Sequence, residues 1–474
     1  MAIFYKEGET KVRPGIYQRY ENADHNPMIT ARDGFCAIPV RASWGPLGQV
    51  VKNTTANDLT KNYGTGTYGE GYTVPAAKAM FEGGAVAVYT YRMGTGGTAA
   101  SKIIDGGVTV TAKYPGTMPI SIAIQTKLGD SSKKQLQVYA GTTLVETFAF
   151  LADGENEGAN LMEKAANSKY ITLTAVTAPA TVSVMDVASG ALTGGADPVI
   201  TNEEYSKAFA AFEPFYYNTI ALDVDDDENL TLSLLLQAYL DGAYEMGKLG
   251  VAVVGEKTTV DFEERLAHAR AFDDYKVVYL GGGYMAGNEN RDGVMAICYT
   301  AGLIAATPSN QGIVHAAIKG ATDLLESLTY YQYEEAINSG MLMVSRSPEG
   351  AIWFDSGINT RVSAPDAIND DGWKKIRRVK VRFEMFDRLD RALAPKVGRV
   401  SADSDGVGDC IQTGQRILDT MANDEGKLAA GPTFIEDPEN PFQVDSAWFV
   451  IDAYDVDSLE KIYLRYLFRY SQNS

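Results

Sequence analysis

Three cysteines and three histidines in 474 residues exclude several chemistries at once. Cys36, Cys298 and Cys410 lie far apart with no CxxC or other ligand spacing, so neither a disulfide framework nor a zinc centre is expected. His25, His268 and His315 show no H-E-x-x-H pattern, and His268, four positions after Glu264, reads as one half of a helix surface pair. Long apolar runs are missing too. No stretch of eighteen apolar residues occurs, and the opening "MAIFYKEGETKVRPG" lacks the apolar centre of an export signal, so membrane insertion is not expected. Positive charge is short overall: 42 Lys and Arg stand against 61 Asp and Glu, a net charge of −19. That balance argues against direct nucleic-acid binding, because phosphate contacts need clustered cations. Internal repeats and low-complexity tracts are absent.

What is present is ordinary core-forming material. With 45% hydrophobic residues the chain can bury the interiors of several domains, roughly two to four at this length. Residues 1–20 are polar, and within them only "PGIYQRYE" has strand character. Short apolar strands follow in "GFCAIPVRA" and "AVAVYTYRM", with a helix predicted in "VPAAKAMFEGG" that stops near Gly84. After "GTGGTAA" the texture changes to closely spaced strands: "GVTVTAKYPG", "ISIAIQTKL", "KQLQVYA", "TLVETFAFL", "YITLTAV" and "TVSVMDV". Residues 99–195 are therefore expected to form an inserted all-β sandwich or barrel, bounded by "GTGG" and "TGGADP". Strand–helix alternation then resumes through "NTIALDV", "DDENLTLSLLLQAYLDGAYEMGK", "LGVAVVG", "DFEERLAHARAF" and "YKVVYLGGG", the order of a parallel sheet covered by helices.

Candidate catalytic motifs fail on spacing. In "GVAVVGEKTT" Gly250 and Gly255 are separated as in a phosphate loop, but Glu256 adds a residue before Lys257 and places a carboxylate where N–H groups should cradle phosphate. "LGGGYMAG" misses the dinucleotide spacing at Ala286. "DVDDDENLTLSL" has the alternating Asp of a calcium loop, yet Glu228 stands where Gly is needed and Leu234 where a bidentate Glu is needed, so helix capping explains it better. No serine lies in a G-x-S-x-G turn. The expectation is no enzyme: no catalytic residue, no cofactor and no metal.

Two segments stand out instead. The ending "VDSLEKIYLRYLFRYSQNS" alternates, with Ile462, Leu464, Tyr466, Phe468 and Tyr470 on one face, and reads as a strand in need of a partner. "WKKIRRVKVRFEMFDRLDRAL" concentrates Lys374, Lys375, Arg377, Arg378, Lys380, Arg382, Arg388 and Arg391 in an otherwise acidic chain. It has amphipathic helical spacing, with Phe383, Phe386 and Leu389 on one side and Asp387, Arg388 and Arg391 expected to be more exposed. Those cations serve either an acidic partner or acidic neighbours in the chain, such as "DSDGVGD".

Six segments occur in a telling order: "RPGIYQRYEN" with "GFCAIPVRASWGPLGQVVKNTTANDLTKNYG", "AMFEGGAVAVYTYRM", "TVTAKYPGTMPISIAI", "YTAGLIAATPSNQGIVHAAIKGA", "FDSGINTR" with the basic stretch, and "VDSLEKIYLRYLF". Together they resemble the tail sheath proteins of contractile bacteriophage tails, R-type bacteriocins and related contractile injection systems. In the third, Met118-Pro119-Ile120 replaces the family's usual Trp-Gly-Asn. The resemblance implies a multi-domain α/β chain. Its parts would be an arm at 1–20, a subtilisin-like α/β core layer from 21–98 with 196–358, an outward-facing β insert at 99–195, an α+β C-terminal domain at 359–454, and a second arm at 455–474.

The same resemblance implies a structural subunit that polymerises with itself, as hexameric rings or a helix, around an inner tail tube protein. It would contract from a metastable extended state to drive the tube through a cell envelope. The implied partners are further copies of the chain, the tube, and baseplate and tail terminator proteins. Synthesis is expected in a bacterial host cytoplasm, with the protein ending in a virion or tail particle. The arms would pair as strands between subunits through Ile16, Tyr17, Tyr20, Ile462, Leu464, Tyr466, Phe468 and Tyr470, and the basic segment would face the tube. The competing expectations are an α/β hydrolase or nucleotide-dependent enzyme with a β-rich accessory domain, which needs a motif not found, and a surface adhesin, which needs an export signal.

An inserted domain with few obligatory contacts can be removed. A chain in which a short Gly-Ser link replaces residues 99–195 is expected to polymerise still, as scored by electron microscopy. A soluble, folded core that no longer assembles would contradict the expectation.

Overall fold

The computed structural model describes residues 3–4, 17–18, 29–64, 66, 71–104, 107–176, 183–225, 230–365 and 370–469. Its largest sheet has seven strands in the spatial order Met341–Leu342, Val277–Leu280, Val251–Gly255, Thr219–Ala221, Phe35–Val40, Ala87–Arg92 and Val50–Asn53. All neighbours are parallel except the last pair. The inner strands are buried on both faces, which is why "VAVVG" is continuously apolar and does not alternate with polar residues. One face, with Cys36, Ile38 and Val40, packs on helices Val74–Glu82 and Gly293–Ala306. The other, with Ala37, Ile220 and Val254, packs on helices Asn202–Phe212, Thr231–Glu245 and Phe262–Phe272.

Helices Val74–Glu82 and Gly293–Ala306 approach closely because each offers a glycine at the crossing. A Cβ on Gly302 would stand 2.1 Å from the Met80 carbonyl oxygen, and one on Gly83 2.3 Å from that of Tyr299. The strand–helix alternation read from residue 217 onward is present, with one difference. The helix expected to open on acidic residues starts at Thr231 behind Leu230, which has φ 55° and makes no side-chain cap; residues 226–229 lie outside the described set.

The region between Ser101 and Ala191 forms a four-stranded and a three-stranded sheet around one apolar cluster. It is not all-β. Helix Glu157–Ala165 buries Leu161 and Ala165 there, an apolar stripe hidden in the polar run "GENEGANLMEKAANS". The strand read in "TVSVMDV" instead occupies Val187–Ala191. Entry and exit segments run side by side through bridges Thr95 to Val199, Thr98 to Ala196 and Ser101 to Thr193. Two side chains fasten this region to the seven-stranded sheet. Trp44 stacks on Tyr170 at 5.0 Å and meets Tyr114 edge-on at 5.1 Å. Fully buried Arg92 donates to the carbonyls of Ala42 (3.0 Å), Gly45 (2.8 Å) and Pro115 (2.9 Å), and burial pushes its pKa down to about 10.

Helix Ile376–Leu393 joins the large sheet to the C-terminal elements. Ile376, Val379 and Phe383 belong to the sheet's core cluster, whereas Val381 and Leu389 belong to a second cluster with Leu418 of helix Ser404–Asp419 and Phe434 of the hairpin Thr433–Glu436/Phe449–Asp452. Lys380 reaches the C-terminal end of helix Gly293–Ala306, donating to the Ile304 carbonyl at 2.5 Å and to that of Thr307, where the helix dipole favours a cation.

Gly302→Ala is expected to lower stability by about 1–3 kcal/mol, because backbone atoms and not a flexible side chain occupy the space; an unchanged denaturant midpoint would contradict the close crossing. Lys380 gives a pH test. Burial lowers its pKa from 10.5 to about 8, so the unfolded chain holds this proton more tightly, and the lysine's cost to stability is full below pH 8 and disappears as pH rises toward 10.5. Wild type should therefore gain stability relative to Lys380→Met between pH 7.5 and 10 in urea melts; parallel pH profiles would count against the assignment.

Candidate functional site: the anchored C-terminal arm

The basic segment folds so that helical spacing sorts its charges by face. Lys375, Arg378 and Arg382 follow one another at three and four residues and meet the chain's own acidic stretch "DAYDVDSLE". Arg378 grips Asp455 with two bonds, Nε to Oδ2 and Nη2 to Oδ1, each 2.7 Å. Arg382 adds two more at 3.2 Å, bonds Asp370 at 2.9 and 3.0 Å, and lies 4.4 Å over the Trp373 ring. Lys375 pairs with Asp457 and Glu460 at 2.8 Å each, and Arg377 donates to Ser458 Oγ at 2.9 Å. Burial alone would raise the Asp455 pKa, but the bonds and charges of Arg378 and Arg382 overcome it and hold the carboxyl below its ordinary value. Main-chain bonds flank the carboxylate: Ala429 N to Tyr454 O at 2.8 Å and Val456 N to Lys427 O at 3.0 Å.

Other cations in the segment are internal. Arg388, only 1% exposed, pairs bidentately with Glu425 at 2.9 Å and with Glu384 at 2.5 Å; Glu384 also holds Lys427 at 2.6 Å and accepts from Ser309. The expected exposure of Arg388 is thus corrected, because its i−4 partner Glu384 faces the interior. Lys380 is likewise committed to the helix end already described, so these two residues are withdrawn from any surface role. Arg391 pairs with Asp387 at 2.8 Å and donates to the Thr30 carbonyl, and Lys374 pairs with Asp371 at 2.9 Å. The neighbour "DSDGVGD" takes only Lys396 among the ion pairs described, through Asp409 at 2.5 Å. Asp370, Asp455, Asp457 and Glu460 were missed from sequence; the density of carboxylates after "AWFVI" was the available signal.

Beyond Glu460 the chain changes character. Residues 461–469 run without assigned secondary structure, and their backbone makes no hydrogen bond to another described residue. Ile462 and Leu464 are each 70% exposed and Phe468 94%, while Tyr463 and Leu467 on the opposite face are open as well. Tyr466 stacks on Phe468 at 6.2 Å. Tyr470 lies outside the described residues, as do Ile16 and Tyr20; the backbone of Tyr17–Gln18 pairs in parallel with Ile3–Phe4. Near the anchor, the hairpin Thr433–Glu436/Phe449–Asp452 is a two-stranded sheet with half-exposed Ile435 and Val450, held from below by Gln415, which accepts from Phe434 N at 2.8 Å.

The polar side chains of the loop read as a failed phosphate motif are already paired within the fold. Glu256 accepts from Tyr279 and contacts His268 Nδ1 at 2.7 Å, so His268 pairs with Glu256 and not with Glu264, and Lys257 pairs with Asp225 at 2.9 Å.

Known proteins share this architecture. Residues 199–360 match the phage tail sheath protein central domain. The phage-like element PBSX protein XkdK of Bacillus subtilis is 24% identical over 97% of this chain and 98% of its own length. The sheath tail protein of Desulfitobacterium hafniense superposes with TM-score 0.71 at 20% identity, covering 93% of this chain and all of that one. The helical sheath of the anti-feeding prophage in its contracted state superposes with TM-score 0.52 at 13% identity, covering 97% and 99%. Residues 199–360 thus match the phage tail sheath protein central domain, and the chain as a whole shares the fold of the sheath tail proteins on which it superposes.

Proposed function

We propose that the protein is the structural subunit of a contractile sheath, which polymerises around an inner tube and shortens to drive that tube through a cell envelope. The observation that carries this is the segment 461–469, which exposes apolar side chains on both faces and has no backbone partner among the described residues, on a fold shared with sheaths. A strand of this kind is stable in water only when another chain pairs with it. The half-exposed hairpin Thr433–Glu436/Phe449–Asp452 of a second copy offers such an edge. Head-to-tail contacts repeated in one sense give stacked rings or a helix.

The same proposal includes a subtilisin-like core layer, the five-part division of the chain, and an outward-facing insert. It also includes assembly with an inner tail tube, baseplate and tail terminator proteins, after synthesis in a bacterial host cytoplasm. The function is mechanical and not enzymatic. Of the basic segment, Lys374, Lys375, Arg377 and Arg391 keep surface exposure with which to meet a tube. Arg378 and Arg382 serve the arm root first.

A chain ending at Glu460 tests the proposal. Because Asp455 to Glu460 are bonded to the body, ending there should leave the cooperative melt intact while sedimentation shows no polymer. Burial of Ile462, Leu464, Tyr466 and Phe468 against a neighbour is worth roughly 1.5–3 kcal/mol each, enough to decide assembly. Polymer formed at the wild-type concentration would refute the arm assignment.

A further inference from the structure

The arm root is built more firmly than a connection needs to be. Asp455 is 8% exposed at the side chain and receives four N–H bonds from two guanidinium groups, whereas Asp457 and Glu460 are 32% and 25% exposed and share a single ammonium. The main-chain bonds at Tyr454 and Val456 immobilise the residues on both sides of the carboxylate. Arg382 is itself fixed, by Asp370 and the Trp373 ring. Two rigid forks on one helix face define a position and a direction, which a lysine cannot do.

We propose that Asp455 is the positioning residue of the C-terminal arm: clamped by Arg378 and Arg382, it fixes where and in which direction residues 461–469 leave the body. This rests on the reading of 461–469 as an intersubunit strand, and the partner is a second copy of this chain. Nine extended residues reach about 30 Å. With the root fixed, the tip samples a limited volume, and its effective concentration at a neighbour's sheet edge is high. With the root released, the mobile length grows from nine residues to fifteen, 455–469, and the ordering cost of each joint rises. The outer pairs of Lys375 are open to solvent and screened by salt, whereas the enclosed Asp455 clamp is screened much less, so the pivot stays at the same place when the outer contacts loosen.

Asp455→Asn, which keeps the shape and removes the charge, is compared with Asp455→Glu, with wild type and with the chain ending at Glu460. In the isolated subunit, hydrogen exchange at Val456 and its neighbours should speed up by about tenfold or more in Asp455→Asn while the body keeps its cooperative melt. The concentration needed for polymer should rise by about tenfold, with Asp455→Glu recovering most of it. Faster exchange with unchanged assembly would overturn the positioning role and leave the arm assignment standing, and unchanged exchange would overturn the clamp itself. Normal assembly by the chain ending at Glu460 would remove the arm assignment instead. If Asp455→Asn loses its melt, Arg378→Lys, which keeps the charge without the fork, decides: loosened 454–460 and weaker polymer on a folded body support the proposal, and wild-type polymer overturns it.

Discussion

Charge removed from water must find a partner, and helix Ile376–Leu393 is where this chain meets that requirement. Buried Arg388 and Lys427 are compensated by buried Glu384 and half-buried Glu425, and half-buried Lys380 by the end of helix Gly293–Ala306. Deleting one member of such a network leaves an uncompensated charge at a cost of about 3–5 kcal/mol, more than most single core truncations of one or two methylenes. The helix therefore cannot slide or turn without breaking several pairs at once. The large sheet, the C-terminal hairpin and the arm root are all positioned by it.

Three faces of one helix do three separate jobs. The apolar face enters the core of the large sheet through Ile376, Val379 and Phe383. The Glu384–Arg388 face locks the C-terminal elements, and Asn310, donating to the Glu425 carbonyl at 3.1 Å, ties the same network to the loop after helix Gly293–Ala306. The Lys375–Arg378–Arg382 face clamps the point from which the arm departs. A stiff body and a free strand beginning at a defined pivot are what the proposed sheath assembly would require of its subunit. Arg92 and Trp44 extend that stiffness to the inserted region, where a guanidinium satisfying three carbonyls joins two segments that share no sheet.

Much of this was legible in the sequence wherever local pattern and burial coincide. The continuous apolar runs "FCAIPV" and "VAVVG" and the helices between them specify a parallel sheet because both faces of each strand are covered. The alternation of "KIYLRYLF" is equally local: it marks a strand-forming segment, which the fold leaves exposed and without a backbone partner among the described residues. The sequence by itself thus determined which segments could form sheets, residues 461–469 among them; that a second copy of the chain pairs with these is what we propose. Tertiary structure alone decided what the basic segment does. Helical spacing places Lys375, Arg378 and Arg382 on one face, but nothing local shows that residues more than seventy positions later fold back onto that face, or that Glu384 turns Arg388 inward. Long-range charge pairing has no period in sequence, because it depends on where distant backbones meet, and the anchor of the arm became visible only when they did.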